Sequence, residues 1–106
     1  MSNLNQKEVE RLFSAAPYIT NLGLCLDSVP DGECHSSLKI DQRHFQQDGF
    51  VHAGVQATMA DHTAGAAALK AGKTLIVVES EVYCGDTENE YLVSKATVTL
   101  TSVSPR

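Results

Sequence analysis

Asp61 is the only formally charged side chain among the seventeen residues from His52 to Ala68, HAGVQATMADHTAGAAA. Its neighbours are mostly Ala, Gly, Val, Thr and Met, small enough for other backbone to approach a helix of them on nearly every side. A surface helix would show one apolar stripe and one charged face, so this one is expected to be buried. A carboxylate inside such a helix is costly unless it is paired, hydrogen-bonded or needed by a reaction. General-base or nucleophilic work is the chemistry it could do. The plain alternative is that Asp61 faces a gap in the packing, solvated or capped by a neighbour.

Helical geometry limits its partners. If Ala53 to Ala68 is continuous helix, His52 and Asp61 are nine positions apart, roughly 13 Å along the axis and about half a turn round it. They form no dyad within one chain, and His62 points about 100° away from its neighbour. Whatever works with Asp61 must come from a strand, a bound molecule or a second copy of the chain. At the other end, Asp48 and Gly49 make a turn, and His52, Ala53 and Gly54 bring backbone amides to a helix start with no earlier carbonyl to satisfy them. Such amides can hold an anion, or a carbonyl oxygen that becomes negative during a reaction, with help from the helix dipole. Gly54 permits close approach. An ordinary helix start would look the same.

The run HAGVQATMADHTAGAAA resembles the HGG…LAD…G-A-A signature of the hotdog-fold acyl-CoA thioesterases of the phenylacetate-degradation (PaaI-like) group. The resemblance implies a catalytic carboxylate at Asp61, acting as general base or nucleophile, and an Ala53 backbone amide offered to the thioester oxygen. It implies that Gln46, seven positions before that amide, holds the same carbonyl and that His52 lines the site. Gly54 and Gly65 would line it too, with Gly65 one turn beyond the acid where some relatives carry a substrate-contacting side chain. Ala53 departs from the family, which most often has Gly there. The amide survives, but a methyl group is placed beside the substrate path. No cofactor is implied beyond the CoA moiety of the substrate. The family's shared interface sites imply a homodimer or homotetramer.

The elements that must position these residues can be read in order. The chain has 106 residues, suited to one domain with one modest core. Asn5 to Ser14 places Val9, Leu12 and Phe13 at helical spacing, a short amphipathic helix ended before Pro17. Tyr18 to Leu22 leads into LGLCLDSV, and a P-D-G turn separates this run from ECHSSLKI, a hairpin signal. Leu22, Leu24 and Leu26 share one face, as do Cys34, Ser36, Leu38 and Ile40. After the central helix, about 53 to 68, a turn at Gly72 precedes TLIVVESEVY, with Ile76, Val78, Ser80 and Val82 alternating against more polar neighbours. The loop GDTENE joins it to YLVSKATVTL, with Leu92, Ala96, Val98 and Leu100 on the core side.

Two hairpins around one helix make an α+β domain, a long central helix laid across an antiparallel sheet, in agreement with the hotdog resemblance. In the family, a strand, a turn and a further strand stand between the helix and the segment that LKAGKTLIVVESEVY resembles. Here Ala68 runs almost directly into that segment. The fold is therefore expected to be shortened by about two strands of five or six residues each, one an edge strand through which subunits join, the other inside the sheet. Either another chain completes the sheet, or the parent protein has a segment that this sequence omits.

The remaining composition narrows the partners. With 42% apolar residues, 20% charged residues and a net charge of −5, neither nucleic acid nor anionic membrane is an expected partner. No run approaches the length of a membrane span, and the N-terminus has no basic-then-apolar secretion pattern, so the cytoplasm is the default. Cys25, Cys34 and Cys84 read as free thiols. No metal site is expected, because the four histidines share no face and the acidic loop reads as solvated. The leading expectation is acyl thioester hydrolysis. The alternative is a non-catalytic acyl-binding or oligomerisation module derived from the same fold. A dehydratase of that fold would pair a His with an acid in a different local arrangement.

Overall fold

The computed structural model describes residues 3–30, 32–71, 75–86 and 88–101. Helix α1 (Asn3–Ser14) buries Val9 and Phe13, four apart on one face, with Leu12 half-buried beside them. A second helix, α2 (Pro17–Leu22), occupies the stretch expected to lead into the first strand. Pro17 sits at its first position, where the missing N–H would have no partner anyway. Gly23 closes it at φ 92°, donating its amide to the Ile19 carbonyl at 3.0 Å. Leu22 therefore ends a helix and does not begin a strand.

Strands β1 (Cys25–Ser28) and β2 (His35–Ser37) form the first antiparallel hairpin, with Cys25 opposite Ser37 and Leu26 opposite Ser36. It is shorter than its sequence signal. Because β2 stops at Ser37, the alternation lapses there: Leu38 packs on the core, whereas Ile40, expected beside it, is exposed. Strands β3 (Leu75–Cys84) and β4 (Tyr91–Thr101) make the second hairpin, in register from Leu75 and Thr101 to Val82 and Ser94. The register shifts between Val82 and Tyr83. Up to that bulge, Ile76, Val78, Ser80 and Val82 form the more buried face, matched by Ser94, Ala96, Val98 and Leu100. Past it the phase changes, so Leu92, expected on the core side, is exposed.

Between the hairpins runs α3 (Ala53–Ala71), three residues longer than expected; the turn at Gly72 lies outside the described residues. The core joins Val9, Phe13, Ile19, Leu24 and Val29 to Ala66 of this helix, with Met59 and Cys34 at its edge. Hydroxyls fix the helix on both sides. Thr63 Oγ1 lies 2.7 Å from Ser36 Oγ of β2, and Ser80 Oγ of β3 donates to the Ala60 carbonyl at 2.9 Å. Among the described residues the two hairpins form separate two-stranded sheets, so each leaves strand edges unpaired.

The expectation that α3 is buried all round fails. Val55, Ala60, Ala64, Ala66, Ala67 and Ala68 are buried, but Ala53, Gly54, Ala57 and Asp61 are exposed. Spacings of three and four residues put the exposed set on one face. That face is turned from both hairpins, so no layer among the described residues covers it.

Candidate functional site

The loop ahead of α3 folds back on itself. His52 donates its amide to the His44 carbonyl at 2.9 Å, Phe45 bridges Val51, and Gln46 donates to the Phe50 carbonyl at 2.8 Å. The turn this requires is made by Asp48 and Gly49 in the left-handed region, at φ 65° and 77°. Asp tolerates that conformation better than most side chains and Gly adopts it freely. Gln46 and Ala53 thus flank one short ladder, and seven positions of sequence are closed into a compact loop.

His52 caps the helix with its own ring. Its Nδ1 accepts from the Gly54 amide at 2.8 Å, and its carbonyl accepts from Val55 at 3.0 Å. Of the three amides expected to be free, those of His52 and Gly54 are therefore engaged. The Ala53 amide meets no acceptor among the described residues. It is left as the open donor at the positive end of a nineteen-residue helix. Gly54 leaves room for this cap, since a Cβ there would stand 3.0 Å from His52 Nδ1 and 3.4 Å from its Cε1, close enough to push on the ring. Gln46 is exposed, and its side chain caps nothing at the turn it precedes.

Asp61 is not sunk among alanines. It is exposed in the single chain, and no group among the described residues hydrogen-bonds or ion-pairs with its carboxylate. The reason is the face it occupies, shared with Ala57 and Gly65 one turn to either side. It lies eight positions after Ala53, about 12 Å along the axis. One chain therefore does not bring the acid to the open amide. Gly65 contributes space, since nothing lies within 4 Å of where its Cβ would be. His62 turns away: its Nε2 lies 3.0 Å from the Leu12 carbonyl and its ring meets Phe13 edge-on at 4.8 Å, tying α3 to α1.

Sequence reasoning gave His44 no role. Its side chain is 0% exposed, with both ring nitrogens hydrogen-bonded to backbone. The one available signal was the spacing Asp41-x-x-His44, a capping box with His in place of the usual Glu or Gln: Asp41 Oδ1 accepts from Arg43 N at 3.0 Å, and His44 Nδ1 accepts from Asp41 N at 2.9 Å. Cys34 carries the clearest thiol perturbation. Burial first, then the Asp27 charge, pushes it up to about 11. Among the described residues no cluster of three His, Cys, Asp or Glu could hold a metal, and no helix is long and apolar enough to cross a membrane.

The sequence matches no protein-family model, and no curated protein is significantly similar to it. The structure is similar to a crystal structure of a thioesterase family protein from Silicibacter pomeroyi, with a TM-score of 0.76 and 20% identity over 92% of this chain and 99% of that one. At that identity the likeness concerns the fold. The chain has the hotdog architecture, a long helix packed on antiparallel strands in an α+β domain.

Proposed function

We propose that this chain hydrolyses an acyl thioester, with acyl-CoA as the substrate class. The observation that carries the reading is the open Ala53 amide, left unpaired at the start of the long helix while the amides on either side of it are engaged. The fold likeness to a thioesterase family protein and the PaaI-like motif support the same reading. In it, the Ala53 amide and the Gln46 side chain donate to the thioester carbonyl oxygen, where negative charge gathers as the carbonyl carbon becomes tetrahedral. Asp61 takes a proton from water, or attacks directly. In the water route hydroxide adds to the carbon, the C–S bond breaks with its electron pair on sulfur, and the proton held by Asp61 passes to the thiolate. Because Asp61 and Ala53 of one chain stand apart, the acid is supplied by a second copy whose exposed helix face closes on the first.

Thiol release from a panel of acyl-CoAs tests this. Asp61→Asn is expected to slow turnover by about 10²- to 10⁴-fold, the usual worth of a general base. Gln46→Ala is expected to slow it by about 10²-fold, as removal of one oxyanion donor does. Parent-like rates in Asp61→Asn would reject the assignment. A second reading, a non-catalytic acyl-binding or assembly module, is favoured by the exposed Asp61 and the divided sheet. Calorimetry that records acyl-CoA binding by a chain that releases no thiol would decide for it.

A further inference from the structure

We infer that His44 is the positioning residue of this site: held as the neutral Nε2–H tautomer, it anchors the loop 44–52 and so fixes where the Ala53 amide points. The inference rests on the proposed oxyanion role of Ala53 and extends it to a residue that touches no substrate.

The tautomer follows from the partners alone. Nε2 stands 2.7 Å from the Leu22 carbonyl, which can only accept, so Nε2 carries the hydrogen. Nδ1 stands 2.9 Å from the Asp41 amide, which can only donate, so Nδ1 presents its lone pair. The Asp41 carboxylate also lies 3.4 Å from Nδ1, a contact that would read as an ion pair if the ring were charged. The geometry favours the neutral ring, because that carboxylate oxygen already accepts from Arg43 N at 3.0 Å while the shorter contact to Nδ1 comes from an N–H. With the side chain wholly buried, losing either bond would leave a ring nitrogen without a partner away from water.

What the ring holds is the base of the site. Leu22 is the last residue of α2, whose closing carbonyls have no partner within the helix. His44 satisfies one of them and thereby pins the loop to α2. From the same residue, the His44 carbonyl receives the His52 amide at 2.9 Å, and the His52 ring receives the Gly54 amide at 2.8 Å. Ala53 sits between these two engaged amides, so its direction is set by a run of hydrogen bonds that begins at the buried ring. A donor aimed at a developing oxyanion loses about 10²-fold for a misplacement on the order of 1 Å.

The test uses the full chain. His44→Gln keeps a donor near the place of Nε2 and gives up the acceptor for Asp41; His44→Asn keeps an acceptor near Nδ1 and does not reach Leu22. In folded protein, thiol release from acyl-CoA is expected to fall in kcat by about 10- to 100-fold for His44→Asn with little change in KM, and by less for His44→Gln, which retains the α2 anchor. A purely structural role predicts unchanged kcat per folded molecule. Two readouts do not depend on activity. A long-range proton–nitrogen correlation spectrum of the parent should show His44 neutral with hydrogen on Nε2. In the variants, amide exchange should quicken at His52 and Gly54 and stay unchanged along β3 and β4. A parent ring with hydrogen on Nδ1, or a folded His44→Asn with parent-like kcat and exchange, would overturn the inference. If the parent releases no thiol, the hydrolase reading fails, while the imidazole spectrum and the exchange pattern still decide the role of His44; where a variant does not fold, the parent's imidazole spectrum decides it.

Discussion

Helix starts are commonly capped by Ser, Thr, Asp or Asn, and the ring of His52 takes that place here. Two opposed effects meet at Gly54→Ala. Alanine favours helix over glycine by up to about 1 kcal/mol, whereas its Cβ would press on the capping nitrogen at 3.0 Å and displace the ring. Stability is therefore expected to change little, within a few degrees of melting temperature, while thiol release falls. His52→Ala removes the cap itself and should lower stability by about 1 kcal/mol, read as a shift of about 5 °C. Cys34 offers a test independent of function. Its thiol is raised in the folded chain from 9.0 to about 11, so ionisation favours the unfolded state. The stability it contributes is whole below about pH 9 and drains away as pH rises towards 11. Denaturation midpoints should fall more steeply over that window in the parent than in Cys34→Ala, and at about pH 8.5 Cys34 should alkylate more slowly than the exposed Cys25 and Cys84. At this scale the sequence was legible where a side chain has one use. Asp48 and Gly49 announced a turn and Ala53 an amide at a helix start. It misplaced Asp61, expected inside a buried helix and found exposed, because Ala and Gly suit a buried or an exposed face equally and so carry no sign of which way the acid looks.

Elements were legible in proportion to their length. The alternation of Ile76, Val78, Ser80 and Val82 against Val77, Glu79 and Glu81 is long enough to declare strand β3 and its inner face. The six residues of α2 are too few for a helical period to show, and Pro17 reads equally well as a stop or as a first position. Leu92 was misplaced because a bulge changes phase without leaving a mark in composition. The hairpin turn gives a stability prediction. Gly85 adopts φ 127°, and a Cβ there would fall on the Asn89 carbonyl oxygen, a backbone atom that cannot swing aside. Gly85→Ala is thus expected to destabilise by more than about 1 kcal/mol. Thermal unfolding followed by circular dichroism measures it, and a melting temperature equal to the parent's would show that the turn rearranges freely.

For the whole molecule, the radius of gyration is 14.2 Å with extents of 43 × 28 × 23 Å, looser than the about 13 Å of a compact hundred-residue domain. The chain also leaves Phe50, Val77, Tyr91 and Leu92 exposed, together with the bare face of α3. Apolar surface and unpaired strand edges of this kind mark association surfaces. Under the proposed reading, association is also what brings an acid to the open amide, and mixing two inactive variants tests that. Asp61→Asn retains Gln46 and the Ala53 amide; Gln46→Ala retains Asp61. If each site takes its acid from the partner in a two-fold dimer, half of randomly reassorted dimers are mixed. Each mixed dimer has one site with both lesions and one with neither, so about a quarter of parent activity should return. A site contained in one chain would return no more than the sum of the two residual activities. Ala57→Arg, on the same exposed face, should keep the fold by circular dichroism, abolish assembly in solution sizing and abolish thiol release with it. An active monomer would remove the need for a second copy and, with Asp61 about 12 Å along the helix from Ala53, would remove Asp61 from the reaction as well.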